Sequence, residues 1–174
     1  AVSFASRPNL EAAVDKLGEA LYAQLDLWRE ELDVSLTGAF IATKAVIPYM
    51  KEQTSGVIVN VASIYGIVGA DNRIYEKGKY RSIAYSAAKS GILNFTRALA
   101  SYLAPHKIRV NTLTLGGVFD GHDRRFVREY SKRAMLARMM SREEVRGPML
   151  FLCSDASSYM TGANLILDGG WSAW

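Results

Sequence analysis

Residues 56–62 read GVIVNVA, residues 108–115 read IRVNTLTL, and between them residues 82–103 run SIAYSAAKSGILNFTRALASYL. The two short runs are apolar and β-branched, and each is bounded by punctuation. Ser55-Gly56 precedes the first, Pro105 lies before the second, and Gly116-Gly117 closes it. Runs of this length and composition read as strands buried on both faces, as in a parallel sheet. The stretch between them has a different period. Tyr85, Lys89, Ile92, Thr96 and Leu99 fall on one stripe, and Ala84, Ala88, Gly91 and Phe95 on another, the spacing of an α-helix with two packing faces. The small residues of the second stripe let another element approach closely. A strand, a helix and a second strand make a parallel crossover unit, which decides for an α/β fold.

The flanking sequence extends this pattern. Residues 9–23 place Leu10, Val14, Leu17 and Leu21 at helical spacing after an irregular start. Residues 27–51 read as a longer helix carrying Leu32, Leu36, Phe40 and Ile47, with Pro48 near its end, where a helix stops or kinks. Residues 63–81 hold three glycines and several charges without sustained periodicity. They read as a long loop, a length that is often functional in compact domains. Residues 122–152 divide into two helical pieces, with Ser141-Arg-Glu-Glu in capping-box form at the second. Residues 164–167 are a last short strand ended by Gly169-Gly170. The order helix, strand, helix, strand, helix, helix, strand predicts a parallel sheet with flanking helices, built as one unit over residues 1–174.

Composition narrows the functional classes. At 174 residues, 49% hydrophobic and 22% charged, the chain suits one globular domain. A net charge of +4 gives no ground for a nucleic-acid partner. No run reaches the roughly 18 apolar residues of a membrane helix; the best stretch, 38–50, is broken by Thr43, Lys44 and Pro48. The lone Cys153 excludes an intramolecular disulfide, and AVSFASRP is not a signal peptide, so a cytoplasmic location is expected. Cys153, in the apolar FLCSD stretch, is expected to be a small buried hydrophobe. His106 and His122 are joined by no ligand pattern, so no metal site is expected. Trp171 and Trp174 read as a packing tail.

The chemistry-bearing residues are Tyr85, Lys89 and Ser63. Four residues apart on a helix, Tyr85 and Lys89 project from the same face. An ammonium beside a phenol stabilises the phenolate and makes it a usable general acid/base. Ser63 sits just past the first strand, where ligands of open α/β sheets bind, and its hydroxyl could hold a carbonyl oxygen while the tyrosine moves a proton.

Five ordered blocks, VNVASIYG, YSAAKSGILNFTRALA, IRVNTLTLGG, FLCSDASSYMTG and LILDGG, resemble the short-chain dehydrogenase/reductase family from about Asp33 to Gly170. The resemblance implies a Rossmann-like fold, NAD or NADP as cofactor, and hydride transfer on a small-molecule carbonyl/alcohol pair. It implies that Tyr85 is the catalytic acid/base, that Lys89 binds the nicotinamide ribose and tunes the phenol, and that Ser63 holds the substrate oxygen. Gly116, Gly117 and Val118 would line the nicotinamide pocket. The two long helices would pair across a two-fold axis into a homodimer or homotetramer.

The chain also departs from the family pattern. Ser63 and Tyr85 are 22 residues apart, longer than usual, with an insertion around DNRIYEKGKYRS. Ser35 stands where members often carry the Asn of a water-mediated proton relay; a hydroxyl binds water without the amide's paired donor and acceptor. Leu115 replaces a usual Pro, and Asp120 a Thr that contacts phosphate. Before residue 56 the only glycines are Gly18 and Gly38, so no Gly-x-x-x-Gly-x-Gly phosphate loop can be built. The chain is therefore expected to match the C-terminal two-thirds of a family member. SIYGIVGADNRIYE and LGGVFDGHDRRFVREY are similar to reductases of bacterial surface-sugar and flagellin-glycan routes, including the legionaminic acid route, which act on nucleotide-activated sugars. Arg124, Arg125, Arg128, Lys132, Arg133 and Arg138 crowd the segment that forms the family's substrate flap, either as a solvated face or as partners for a substrate phosphate. The alternatives are a 3-oxoacyl-reductase-like enzyme and a catalytically silent oligomerisation module.

Overall fold

A computed structural model describes residues 25–79 and 81–174; the helix expected at 9–23 lies outside the described residues. Strands β1 (Gly56–Ser63), β2 (Ile108–Leu115) and β3 (Asn164–Leu167) form a parallel sheet in the order β1-β2-β3. The register runs from Gly56 opposite Ile108 to Ser63 opposite Leu115, so β1 and β2 end at the same level. Helices α1 (Gly38–Gln53), α2 (Ile83–Leu103), α3 (Arg124–Ser131) and α4 (Arg146–Cys153) accompany the sheet. Among the described residues, no helix is long and apolar enough to cross a membrane.

β2 is the central strand, and Val110, Asn111, Leu113 and Thr114 are completely buried. Its start packs with Ala100, Leu103, Ile47 and Met50 of the two long helices. The small stripe of α2 works as the sequence requires: a Cβ on Gly91 would lie 3.0 Å from the Leu36 side chain, so that chain seats directly on the helix. Residues 25–53 are helical throughout, but Asp33–Thr37 forms a π-helical turn. Pro48 lies inside α1 on its exposed side and does not end the helix, which stops at Thr54 in left-handed conformation (φ 49°).

Two expectations are corrected. β1 is not buried on both faces: Asn60 and Ala62 face α2 and are buried, whereas Val61 is 42% exposed. Among the described residues β1 is an edge strand, and α2 covers only one of its faces. Cys153 is exposed, because α4 turns Leu152 inward and its last residue outward. The stretch 63–81 is a long loop, as its lack of periodicity predicts. It folds into 3₁₀ turns at Ile64–Gly66 and Asn72–Ile74 and buries Ile64, Tyr65 and Ile74. At the second helical piece, the Glu144 carboxylate accepts from the Ser141 N–H at 2.8 Å, as the capping pattern anticipates.

The core of the crossover contains a polar hub. Thr96 of α2, 1% exposed, accepts at its Oγ1 from Asn60 Nδ2 of β1 (2.9 Å) and from Thr112 Oγ1 of β2 (2.8 Å). Removing that acceptor leaves two buried donors unpaired, so Thr96→Val is expected to destabilise the fold by about 1–3 kcal/mol. Urea denaturation should show a lower midpoint at unchanged slope, since the exposed surface on unfolding is the same.

Candidate active site

The crossover sets where each side chain of the site stands. α2 runs antiparallel to β1, with Thr96 beside Asn60. Seven helical residues from Thr96 back to Lys89 rise about 10.5 Å, and three strand residues from Asn60 to Ser63 rise about 10 Å. The two elements thus climb together, and Ile92 and Leu93 meet Ala62 on the way. Tyr85, one further turn up, arrives at the carboxyl end of the sheet.

Ser63, 8% exposed, is the last residue of β1, and its Oγ accepts from the Tyr65 N–H at 3.2 Å. That bond starts the Ile64–Gly66 turn, which presses against α2. A Cβ on Gly66 would lie 2.7 Å from the backbone C and O of Lys89, so only glycine permits this approach. Lys89 Nζ donates to the Val61 carbonyl at 3.3 Å and stands 5.7 Å from the centre of the Tyr85 ring. Burial lowers the Lys89 pKa, and Glu31 partly opposes that shift.

The turn after β2 is clamped. Gly116 N–H continues the ladder to Leu167 O at 2.8 Å, Gly117 N–H donates to the Tyr130 hydroxyl, and Gly117 O accepts from Met140 N–H at 3.0 Å. Both backbone groups of Gly117 are therefore engaged, whereas no bond engages those of Val118 among the described residues. Burial pushes the Tyr130 phenol up to about 12, against the opposing bond from Gly117; it is a neutral wall residue.

Ser63, Tyr85, Gly116, Gly117 and Val118 line one cavity of about 160 Å³. Lys89 is not in its wall; it stands at the Tyr85 ring with its ammonium on the strand carbonyl. Sequence reasoning missed the opposite wall. Arg81, from the insertion, sets its Cζ 4.8 Å from the centre of the Tyr85 ring, and its Nε–H donates to Tyr75 Oη at 3.4 Å. Tyr75 Oη in turn donates to Tyr65 Oη at 3.3 Å. The available signal was an aromatic and basic insertion lying directly between two site residues. Ser35 lies half-buried on the π-helical turn, a deformation that recurs at functional sites.

Four of the six flap cations meet protein carboxylates. Arg128 and Lys132 pair with Glu129 at 3.2 and 2.9 Å, Arg133 with Asp71, and Arg138 with Glu144 at 2.6 Å. Arg138 and the Ser141 N–H hold Glu144 down to about 2. Arg142 likewise pairs with Asp120. His122 Nδ1 accepts from the Asp120 N–H at 3.1 Å, and its ring stacks on Phe126. Among the described residues no three His, Cys, Asp or Glu side chains gather as a metal site.

Comparison with known proteins finds relatives along most of the chain. A family profile described as enoyl-(acyl carrier protein) reductase matches residues 9–172. The chain is 38% identical over 162 residues to trans-4-hydroxycyclohexanecarboxylate dehydrogenase of Sinomonas cyclohexanicum, covering 93% of this chain and 58% of that protein. It is 35% identical over 154 residues to post-translational flagellin modification protein A of Campylobacter coli, covering 88% of this chain and 59% of that protein. A crystal structure of a short chain dehydrogenase from Leptospira borgpetersenii with bound NAD+ superposes with TM-score 0.78 at 38% identity, covering 83% of this chain and 56% of that one. The chain thus spans rather more than half the length of the curated relatives it matches.

The Gly66 contact is directly testable. In Gly66→Ala the new methyl meets backbone, which cannot rotate away, so the turn must lift from α2 at a cost of about 1–3 kcal/mol. Thermal unfolding should show the loss, and Gly69→Ala, where a Cβ meets nothing within 4 Å, should melt like the wild type.

Proposed function

The chain belongs to the short-chain dehydrogenase/reductase family, and we propose that it carries the catalytic part of an oxidoreductase acting on a carbonyl/alcohol pair with NAD or NADP. The observation that supports this most is the sharing of one cavity by Ser63 and Tyr85 at the carboxyl end of β1 and β2, with the Lys89 ammonium at the Tyr85 ring.

The donor set suits the nicotinamide end of such a cofactor. Lys89 keeps N–H donors beyond its bond to Val61 O, Tyr85 offers a hydroxyl, and Val118 a backbone pair; together they match a ribose diol and a carboxamide. Gly116 and Gly117 bring bare backbone to the cavity wall. When bound, the nicotinamide supplies a hydride acceptor or donor. In alcohol oxidation Tyr85, as phenolate, would take the hydroxyl proton, and in carbonyl reduction the phenol would return a proton to the oxygen. Ser63, whose Oγ already accepts from Tyr65 N–H, donates its O–H to the same oxygen and fixes it beside the phenol. Lys89 would hold the ribose, and its ammonium sets positive charge near the phenolate form.

A sugar-type substrate, nucleotide-linked in the finer reading, draws support from the flagellin-modification relative. The acyl-thioester alternative draws on the family profile; assaying nucleotide sugars against 3-oxoacyl thioesters separates them. A cytoplasmic setting accords with the single cysteine. α1 and α2 leave Phe40, Ile41, Tyr49 and Tyr102 exposed, a surface suited to a second copy related by two-fold symmetry.

Three outcomes are expected. Tyr85→Phe should lower kcat by about 10²–10⁴-fold while NAD(P)H binding, followed by fluorescence, persists. The Lys89 cation is present below its lowered pKa and lost as pH rises through it, so activity should fall on the alkaline side below pH 10.5. Lys89→Arg, which keeps its charge, should move that fall upward. Light scattering should find a dimer or tetramer that Phe40→Asp weakens; a monomeric wild type at micromolar concentration would count against the pairing.

A further inference from the structure

The cavity wall contains no acidic residue, yet it contains a guanidinium. Arg81 is half-buried between two rings, its Cζ 4.8 Å from the centre of Tyr85 and 5.9 Å from that of Tyr75. Its backbone is fixed by an N–H bond to Asn72 Oδ1 at 3.0 Å, and its Nε–H is spent on Tyr75 Oη. Among the described residues, neither of its terminal nitrogens has a hydrogen-bond or ion-pair partner, whereas Arg73, Arg133, Arg138 and Arg142 nearby each meet a carboxylate. Asp71, the carboxylate of the same loop, is already taken by Arg73 and Arg133.

A cation withdrawn from water without a counter-ion is unfavourable, and a guanidinium with two adjacent free N–H groups matches the oxygens of a carboxylate or phosphate. Stacking between the rings leaves few orientations open to those groups, so little entropy is lost when they engage. We propose that Arg81 binds an anionic group of the substrate, a carboxylate or a phosphate, while Ser63 and Tyr85 address the reacting oxygen. This rests on the oxidoreductase reading of the same cavity and adds a substrate class to it: a compact hydroxy or oxo compound bearing an anion. The aromatic lining of Tyr65, Tyr75, Phe126 and Tyr130 suits an apolar body between the two polar ends.

The experiment is titration calorimetry with benzoate, phenyl phosphate and neutral benzamide, on the wild type, Arg81→Gln and Arg81→Lys. At least one anion should bind the wild type about tenfold tighter than benzamide, the size expected of a charge-assisted pair. That preference should shrink to about twofold or less in Arg81→Gln and survive in part in Arg81→Lys, which keeps the charge without the fork. Tighter binding of benzoate assigns a carboxylate, and tighter binding of phenyl phosphate assigns a phosphate. No anion preference in the wild type, or one undiminished in Arg81→Gln, overturns the proposal. A purely structural role of Arg81 against Tyr85 would weaken all three ligands alike. Because no turnover is needed, a missing anion preference overturns this proposal and leaves the oxidoreductase reading, which Tyr85→Phe tests, untouched.

Discussion

One buried hydroxyl governs the arrangement. Thr96 receives hydrogen bonds from Asn60 and Thr112, side chains of two neighbouring parallel strands, and so fixes the helix against both at a single height. Apolar contacts alone would tolerate a slide along the strands, since one layer of aliphatic groups can pack on another at several offsets. A slide of one helical turn moves every α2 side chain by about 5.4 Å, which would take Tyr85 out of the cavity it shares with Ser63. The bonds to Thr96 make each offset but one leave buried polar groups unpaired, and that penalty is steep where water is excluded.

What was legible in the sequence follows from the range of the forces involved. The strands and α2 are written in local periodicity, and Ser63 and Tyr85 could be placed together because a strand end and a helix start in a crossover unit have little freedom. Arg81 and Tyr75 were not legible as wall residues. Their positions depend on how the insertion folds back, and that is decided by contacts such as Asp71 with Arg133, 62 residues away. The flap cations divide along the same line. Asp71 reaches Arg133 from the insertion, which no local pattern announces, whereas Glu129 and Glu144 lie within a few residues of the cations they hold and belong to the solvated-face reading. Cys153 was misjudged for a different reason. An apolar string such as FLC says that a helix has a buried side without saying which residue faces it, and Leu152 took that place.

The cavity is bounded by two groups of elements. Ser63, Tyr85 and Gly116 stand on strand ends and a long helix, elements tied into the core. Arg81, Tyr75 and the α3 side chains stand on segments joined to each other by the Asp71–Arg133 pair and the contact between the Tyr75 and Phe126 rings, and to the strand ends by the bond between Gly117 and Tyr130. The insertion and the flap are thereby fastened to each other and to the strand ends around the cavity.

Trp171 stacks on Tyr130, ring centres 4.3 Å apart, and Tyr130 is part of the cavity wall. Buried at 8% exposure, this indole is shielded from solvent, whereas Trp174 and Trp28 are open to it. The protein consequently carries an optical reporter at its own site. Emission from Trp171 is expected at shorter wavelength than that of the other two, which quenchers confined to water should reach first. Any occupant that shifts the Tyr130 ring alters the emission of its stacked neighbour, without a label being attached.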